Sequence, residues 1–218
     1  MKKEVRSRLI VTVALFIAFA VFTVLVKTVD VKDIGPEWSS VGFATLNAKV
    51  NLALGESTLW YKITEAMGIF AILIGLCFAL LGMLQLIKGK SLKAVDIDIY
   101  VLGGFYVLLA VVYAMFEKIV VNYRPVLEDG ELAASYPSSH TVLIIGIMLT
   151  TLLQLSNRLE GKRICRPACI MCGILAAVAV AGRMLSGVHW LTDIAGGVIL
   201  ALALVALYDT VEKGIKGV

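Results

Sequence analysis

The chain has 218 residues, 60% of them hydrophobic and 17% charged, with a formal net charge of +4. Its mean hydropathy is +0.92. Soluble chains carry roughly 25% charged residues to cover their surface, so a disordered chain, a small disulfide scaffold and an ordinary soluble domain are excluded. The charges are also unevenly placed, with none between Arg8 and Lys27 or between Glu65 and Lys88. Apolar runs of about 18 or more residues mark membrane-spanning helices.

In chain order, spans are predicted at about 9–26, 66–87, 99–116, 139–156, 168–183 and 190–208. The expected fold is all-α: a polytopic membrane protein with a single membrane-embedded domain over residues 1–218. Six transmembrane helices form a bundle, with a short interfacial helix between the first and second spans. The segment MKKEVRSR followed by an apolar run could pass for a signal peptide. That run is longer than a signal core and no small-residue cleavage site follows Lys27, so a retained helix is expected.

Residues 28–65 form the longest connection. Val41, Phe43, Leu46, Val50 and Leu54 approximate a helical stripe, with Asn47, Lys49 and Asn51 elsewhere around the turn. Flanked by Trp38, Trp60 and Tyr61, the stripe predicts a helix in the headgroup region that guides a lipid or caps the bundle. In the second span, Gly68, Gly75 and Gly82 recur every seven residues, which predicts a close-packing face rather than a site.

A cytoplasmic N-terminus places Lys2, Lys3, Arg6 and Arg8 inside, together with Lys88, Lys90 and Lys93. It does the same for Arg158, Lys162, Arg163, Arg166, Lys213 and Lys216, giving 13 of the 20 Lys and Arg residues. That excess predicts cytoplasmic N- and C-termini. Short basic clusters between apolar blocks reflect membrane topology, so no nucleic-acid partner is expected. Compactness and short tails suggest a bacterial cytoplasmic membrane. Cys165, Cys169 and Cys172 are close enough in sequence for a zinc site, but both histidines are distant. Free thiols packed as small apolar residues, like Cys77, are the expected state.

The chain has two histidines, His140 and His189. His140 follows Tyr136-Pro137-Ser138-Ser139 at the start of a span. His189 and Asp193 lie four residues apart, on one helix face, where a carboxylate can fix the ring tautomer and leave the other nitrogen as a nucleophile. Each feature has an ordinary structural explanation. An acid suits a helix start, Arg124 and Arg183 suit helix ends, and Pro137 with Ser138 is a normal helix opening. Together they place two histidines, two arginines, a lysine, an aspartate and two serines on one side of the bundle. Helix-start amides and arginines both bind phosphate, and phosphoryl transfer needs little beyond positioning and charge stabilisation.

These residues resemble the type 2 phosphatidic acid phosphatases, membrane relatives of vanadium haloperoxidases and glucose-6-phosphatase. The family pattern is a Lys seven residues before Arg-Pro, then Pro-Ser-Gly-His, then Ser-Arg with His six residues after the Arg and Asp four further on. Arg124-Pro125, Pro137-Ser138-x-His140 and Arg183-x5-His189-x3-Asp193 match in order and spacing. Three positions depart. Glu117 stands where the Lys falls, with Lys118 one residue late; Ser139 replaces the Gly; Gly182 replaces the Ser. The resemblance implies that His189, oriented by Asp193, attacks phosphorus and forms a phosphohistidine. It implies that His140 protonates the leaving oxygen and then activates water, while Arg124, Arg183, Ser138, Ser139 and Lys118 hold phosphate.

A lipid phosphate substrate within the membrane lipids is therefore expected, at the outer face, with phosphatidic acid, phosphatidylglycerol phosphate and undecaprenyl diphosphate as family-level candidates. No cofactor or metal is expected, since no carboxylate cluster offers to bind one. A lipid phosphotransferase with another acceptor stays open at this stage, as does a non-catalytic scaffold. Transport is disfavoured because the span interiors are uncharged.

Overall fold

The computed structural model describes residues 3–217, so Lys2 of the predicted inner cations lies outside them. Seven α-helices follow in order: α1 (Lys3–Thr28), α2 (Ala44–Leu54), α3 (Thr58–Gly89), α4 (Ile97–Phe116), α5 (Ser139–Arg158), α6 (Cys165–Leu185) and α7 (Leu191–Lys216). All but α2 are long and apolar enough to cross a membrane; 20 residues at about 1.5 Å each match a hydrocarbon layer of about 30 Å. The expected all-α, six-span architecture is present.

The helices overrun the limits read from hydropathy, α3 most of all: it begins at Thr58 instead of about 66. Hydropathy marks only the part that lipid surrounds, whereas helix ends are fixed by caps. Here the Ser57 hydroxyl accepts the Trp60 amide at 3.4 Å, satisfying one of the donors a helix start leaves open.

α5 is the central helix, packed against α3, α6 and α7. Its Val142, Ile144, Ile145, Ile147 and Met148 are buried with Phe105 and Leu109 of α4 and Leu200 and Leu204 of α7. α1 lies along α7 and turns Ile10, Ile17 and Val24 outward at seven-residue intervals. Lipid is as apolar as the core, so apolar side chains alone do not fix which face turns inward. Polar pairs do. The Thr12 and Thr210 hydroxyls are 3.0 Å apart, and Gln154 Nε2 donates to the Tyr208 hydroxyl at 2.6 Å.

Alternating spans bring the basic ends of α3, α5 and α7 together with the start of α1. Arg158 pairs there with Asp96 and Asp98 at 3.0 and 2.9 Å, and Arg8 pairs with Asp209. The loop over residues 117–138, α2 and the first turns of α3, α5 and α7 gather at the opposite end.

α2 is not buried along the apolar stripe read from the sequence. It buries Ala44 and Asn47, while Leu46 and Leu54 of the expected stripe are exposed. The reason is that α2 rests on the polar start of α7. Asn47 Nδ2 donates to the Gly42 carbonyl at 2.8 Å and to the Thr192 hydroxyl at 2.9 Å, and Asn47 Oδ1 accepts the Thr192 amide at 3.2 Å. Trp60 and Tyr61 belong to the first turns of α3 and turn towards α6. Of the glycine stripe, Gly75 and Gly82 do face Tyr106 and Ile99 of α4. Gly68 instead faces His140, where a Cβ would stand 3.2 Å from the ring.

The chain before α5 is wedged between α1 and α7. Tyr136 is buried, stacks on Phe19 with ring centroids 6.1 Å apart, and places its hydroxyl 2.8 Å from Thr23 Oγ1. A Cβ at Gly196 would come within 2.5 Å of the Tyr136 ring, whereas Gly103 has open space. Gly196→Val should therefore cost about 1–3 kcal/mol by overpacking and lower the unfolding temperature in detergent. Gly103→Ala should leave that temperature unchanged or raise it.

Candidate active site

Three segments meet at the α7 start. After α4, residues 122–124 fold back against 133–135: the Arg124 amide donates to the Ala133 carbonyl and the Ser135 amide to the Asn122 carbonyl, both at 3.0 Å. This returning loop is tied down twice. Trp190 Nε1 donates to the Tyr123 carbonyl at 2.7 Å, and Asn122 Nδ2 donates to Asp193 Oδ1 at 3.1 Å. The segment before α5 is held by the Ser138 amide, which donates to the Asp193 carbonyl at 2.9 Å. Asp193 Oδ2 accepts the Trp190 amide at 2.9 Å, which fixes the link that carries His189.

His189 is 2% exposed. Its Nδ1 lies 3.7 Å from Asp193 Oδ2, longer than a hydrogen bond but close enough for the charge to act. Burial, and then the neighbouring Arg183, Arg124 and His140, hold its pKa well below the usual histidine range. The ring is thus neutral at pH 7 and carries a lone pair. With Nδ1 towards Asp193, Nε2 is the nitrogen left to react.

His140 is the second residue of α5, and its Nε2 stands 3.0 Å from Glu65 Oε1. Arg183 Nη1 is 3.0 Å from the same Glu65 oxygen and 3.2 Å from Thr64 Oγ1. The Arg183 guanidinium lies over the Tyr61 ring, 5.3 Å from its centroid, an arrangement that favours the cation. Arg124 pairs with Glu128 at 3.0 Å, its side chain 11% exposed.

The structure thus gathers His140, His189, Asp193, Arg124 and Arg183. The other predicted residues are placed less simply. Ser138 is buried; its amide is committed to Asp193 and its hydroxyl accepts from Thr141 at 3.0 Å, so only its hydroxyl proton is left for a phosphate. Ser139 borders a cavity beside Pro137. Lys118 is exposed on the turn after α4 and makes no ion pair among the described residues. Glu65, Thr64, Asn122 and Asn47 were not singled out from the sequence. Glu65 stood there only as the last charge before an apolar run, and Asn122 lay unremarked two residues before Arg124.

A cavity of about 450 Å³ runs between α3, α4 and α5, bordered by Leu76, Tyr106, Leu109, Phe116 and Leu143, and reaches His189. Near His189, Arg124 Nε and Arg183 Nε are buried without a hydrogen-bond partner, and both arginines act on the ring electrostatically. Folded proteins satisfy most buried polar atoms, so such a pair marks a place where a ligand completes the bonding. Among the described residues no group of three or more His, Cys, Asp or Glu side chains is placed to hold a metal ion. All four cysteines are free.

Fold and site together define a helical membrane protein in which two arginines lie near a buried histidine. Residues 119–213, which contain all three motifs from Arg124 to Asp193, match the family model of the PAP2 superfamily. That match supports the resemblance of its motifs to the type 2 phosphatidic acid phosphatases. No curated protein sequence matches it. Among solved structures it shares the fold of a transmembrane PAP2 type phosphatidylglycerolphosphate phosphatase from Bacillus subtilis. The TM-score is 0.64 at 17% identity, over 94% of this chain and 96% of that one.

Asn122 joins the carboxylate to the loop and also accepts the Gly42 amide at 3.2 Å. Asn122→Leu would remove one buried partner from the Asp193 carboxylate and one from the Gly42 amide, at about 1–3 kcal/mol each. Unfolding in detergent should show a clear loss of stability, larger than for a leucine placed at exposed Glu131.

Proposed function

We propose that the protein hydrolyses a lipid phosphate monoester or diphosphate at the outer membrane face through a phosphohistidine on His189. The observation that carries this reading is an apolar cavity inside the bundle that reaches His189, the ring on which Arg124 and Arg183 act. One end suits a hydrocarbon tail, the other a phosphate. Lipids of the phosphatidic acid, phosphatidylglycerol phosphate and undecaprenyl diphosphate types fit that shape.

In the first step His189 Nε2 donates its lone pair to phosphorus, and the bond from phosphorus to the leaving oxygen breaks. His140 Nε2 gives that oxygen a proton, so the lipid leaves as an alcohol or a monophosphate. Arg124 and Arg183 stabilise the charge on the phosphoryl oxygens, a contribution typically worth about 10²–10³ in rate per donor. The phosphorylated ring is a cation facing Asp193. In the second step His140 takes a proton from water as its oxygen attacks phosphorus. The P–N bond breaks, phosphate leaves and His189 returns to its neutral form. Positive side chains do the work a metal does elsewhere.

Purified protein should release phosphate from at least one of these lipids with chelator present, and His189→Ala should lower turnover at least about a thousandfold. Equal release by the two proteins would refute the role of His189. The lowered His189 pKa sets the sign of the pH dependence. The reactive neutral ring persists as pH falls below the ordinary histidine value of about 6.5, so the acid limb of kcat/KM should lie below that value. For the orientation, cysteines introduced at residues 126–136 should be labelled from outside intact cells, and those at 157–166 protected.

A further inference from the structure

Glu65 has no place in the two steps above, yet it touches two of the groups they use. His140 must stand within about 3 Å of the leaving oxygen to protonate it, and Arg183 must reach a phosphoryl oxygen at a similar distance. Glu65 Oε1 is already 3.0 Å from His140 Nε2 and 3.0 Å from Arg183 Nη1. A carboxylate and a phosphate offer arginine the same pair of acceptor oxygens. Two anions do not share one such seat without strong repulsion.

The surroundings allow the carboxylate to leave. The Glu65 side chain is 37% exposed, against 2% for Arg183. Arg183 stays anchored without it, held by Thr64 Oγ1 and the Tyr61 ring. His140 likewise keeps its place at the α5 start against Gly68. The mobile partner of this contact is therefore the acid.

We propose that Glu65 is an affinity-determining residue of the phosphate seat: its carboxylate takes the bonds of a substrate oxygen from Arg183 and His140, and substrate binds by displacing it. The proposal rests on the functional reading above for the identity of the seat, but its test does not depend on turnover. Removing the charge removes the competitor. Glu65→Gln should bind inorganic orthophosphate about tenfold more tightly than the unaltered protein, in line with loss of one charge-assisted contact. Glu65→Asp, one methylene too short to reach both partners, should shift affinity in the same direction.

Calorimetric titration of orthophosphate into the full-length protein in detergent reads both variants, with the unfolding temperature as a check on folding. In turnover assays the gain should appear as a lower KM without a matching rise in kcat. Tighter orthophosphate binding by Glu65→Gln supports the assignment even if no lipid phosphate is hydrolysed, an outcome that would sink only the proposed reaction. Equal, weaker or undetectable orthophosphate binding in folded Glu65→Gln and Glu65→Asp would overturn it. A fall in kcat with unchanged phosphate affinity would also overturn it, because that is the behaviour of a carboxylate that merely aligns His140.

Discussion

The buried carboxylate and backbone of Asp193 join pieces of chain that are distant in sequence. Asn122 and Trp190 donate to its two side-chain oxygens, and Ser138 donates to its carbonyl. One residue from each motif region is thereby fixed to the first turn of α7. A buried carboxylate is costly unless hydrogen-bonded, and here the hydrogen bonds come from neutral amides. No Lys or Arg pairs with Asp193 among the described residues, so its charge is not spent on a local cation. His189 Nδ1 lies 3.7 Å from its Oδ2.

That arrangement gives the site its electrostatic sense. In the resting state Arg183 and Arg124 oppose protonation of His189, so the ring is a nucleophile rather than a cation. Under the proposed mechanism, phosphorylation makes the ring cationic while bringing in a phosphate that offsets the arginines. Asp193 then attracts the phosphorylated ring more strongly than the free one. An interaction that strengthens along the reaction lowers its barrier, whereas one equally strong throughout does not. The distance of 3.7 Å, too long for a resting hydrogen bond, fits a contact that tightens when charge develops.

The sequence made the bundle and the grouping of the candidate site residues legible for two different reasons. Uncharged runs such as Arg8 to Lys27 report directly on lipid exposure. The spacing of Arg183, His189 and Asp193 is local, so it survives in the linear order. What stayed hidden depends on which neighbour a helix meets. Asn47 was read only as lying off the apolar stripe of α2, whereas the surface beneath α2 is the polar start of α7, which Asn47 meets. Gly68 was grouped with Gly75 and Gly82 by period alone, although His140 rather than α4 lies opposite it. Glu65 bounded an apolar run, and nothing local links it to Arg183, which is 118 residues away in the chain. The Ser138 amide was available in the motif but is consumed by Asp193 in the fold.

The two histidines differ in environment in a way that suits an amphiphilic substrate. His189 is 2% exposed and meets the cavity between α3, α4 and α5, while the His140 side chain is 24% exposed beside Glu65. A lipid entering along the cavity would bring its phosphate to His189 from the apolar side. Water and released phosphate would pass on the side of His140, where the acid–base step needs them. The nucleophile is thus kept away from bulk water, which would compete with substrate for it and weaken the field of the arginines. Under the proposed mechanism, His140, which takes a proton from water in the second step, stays within its reach.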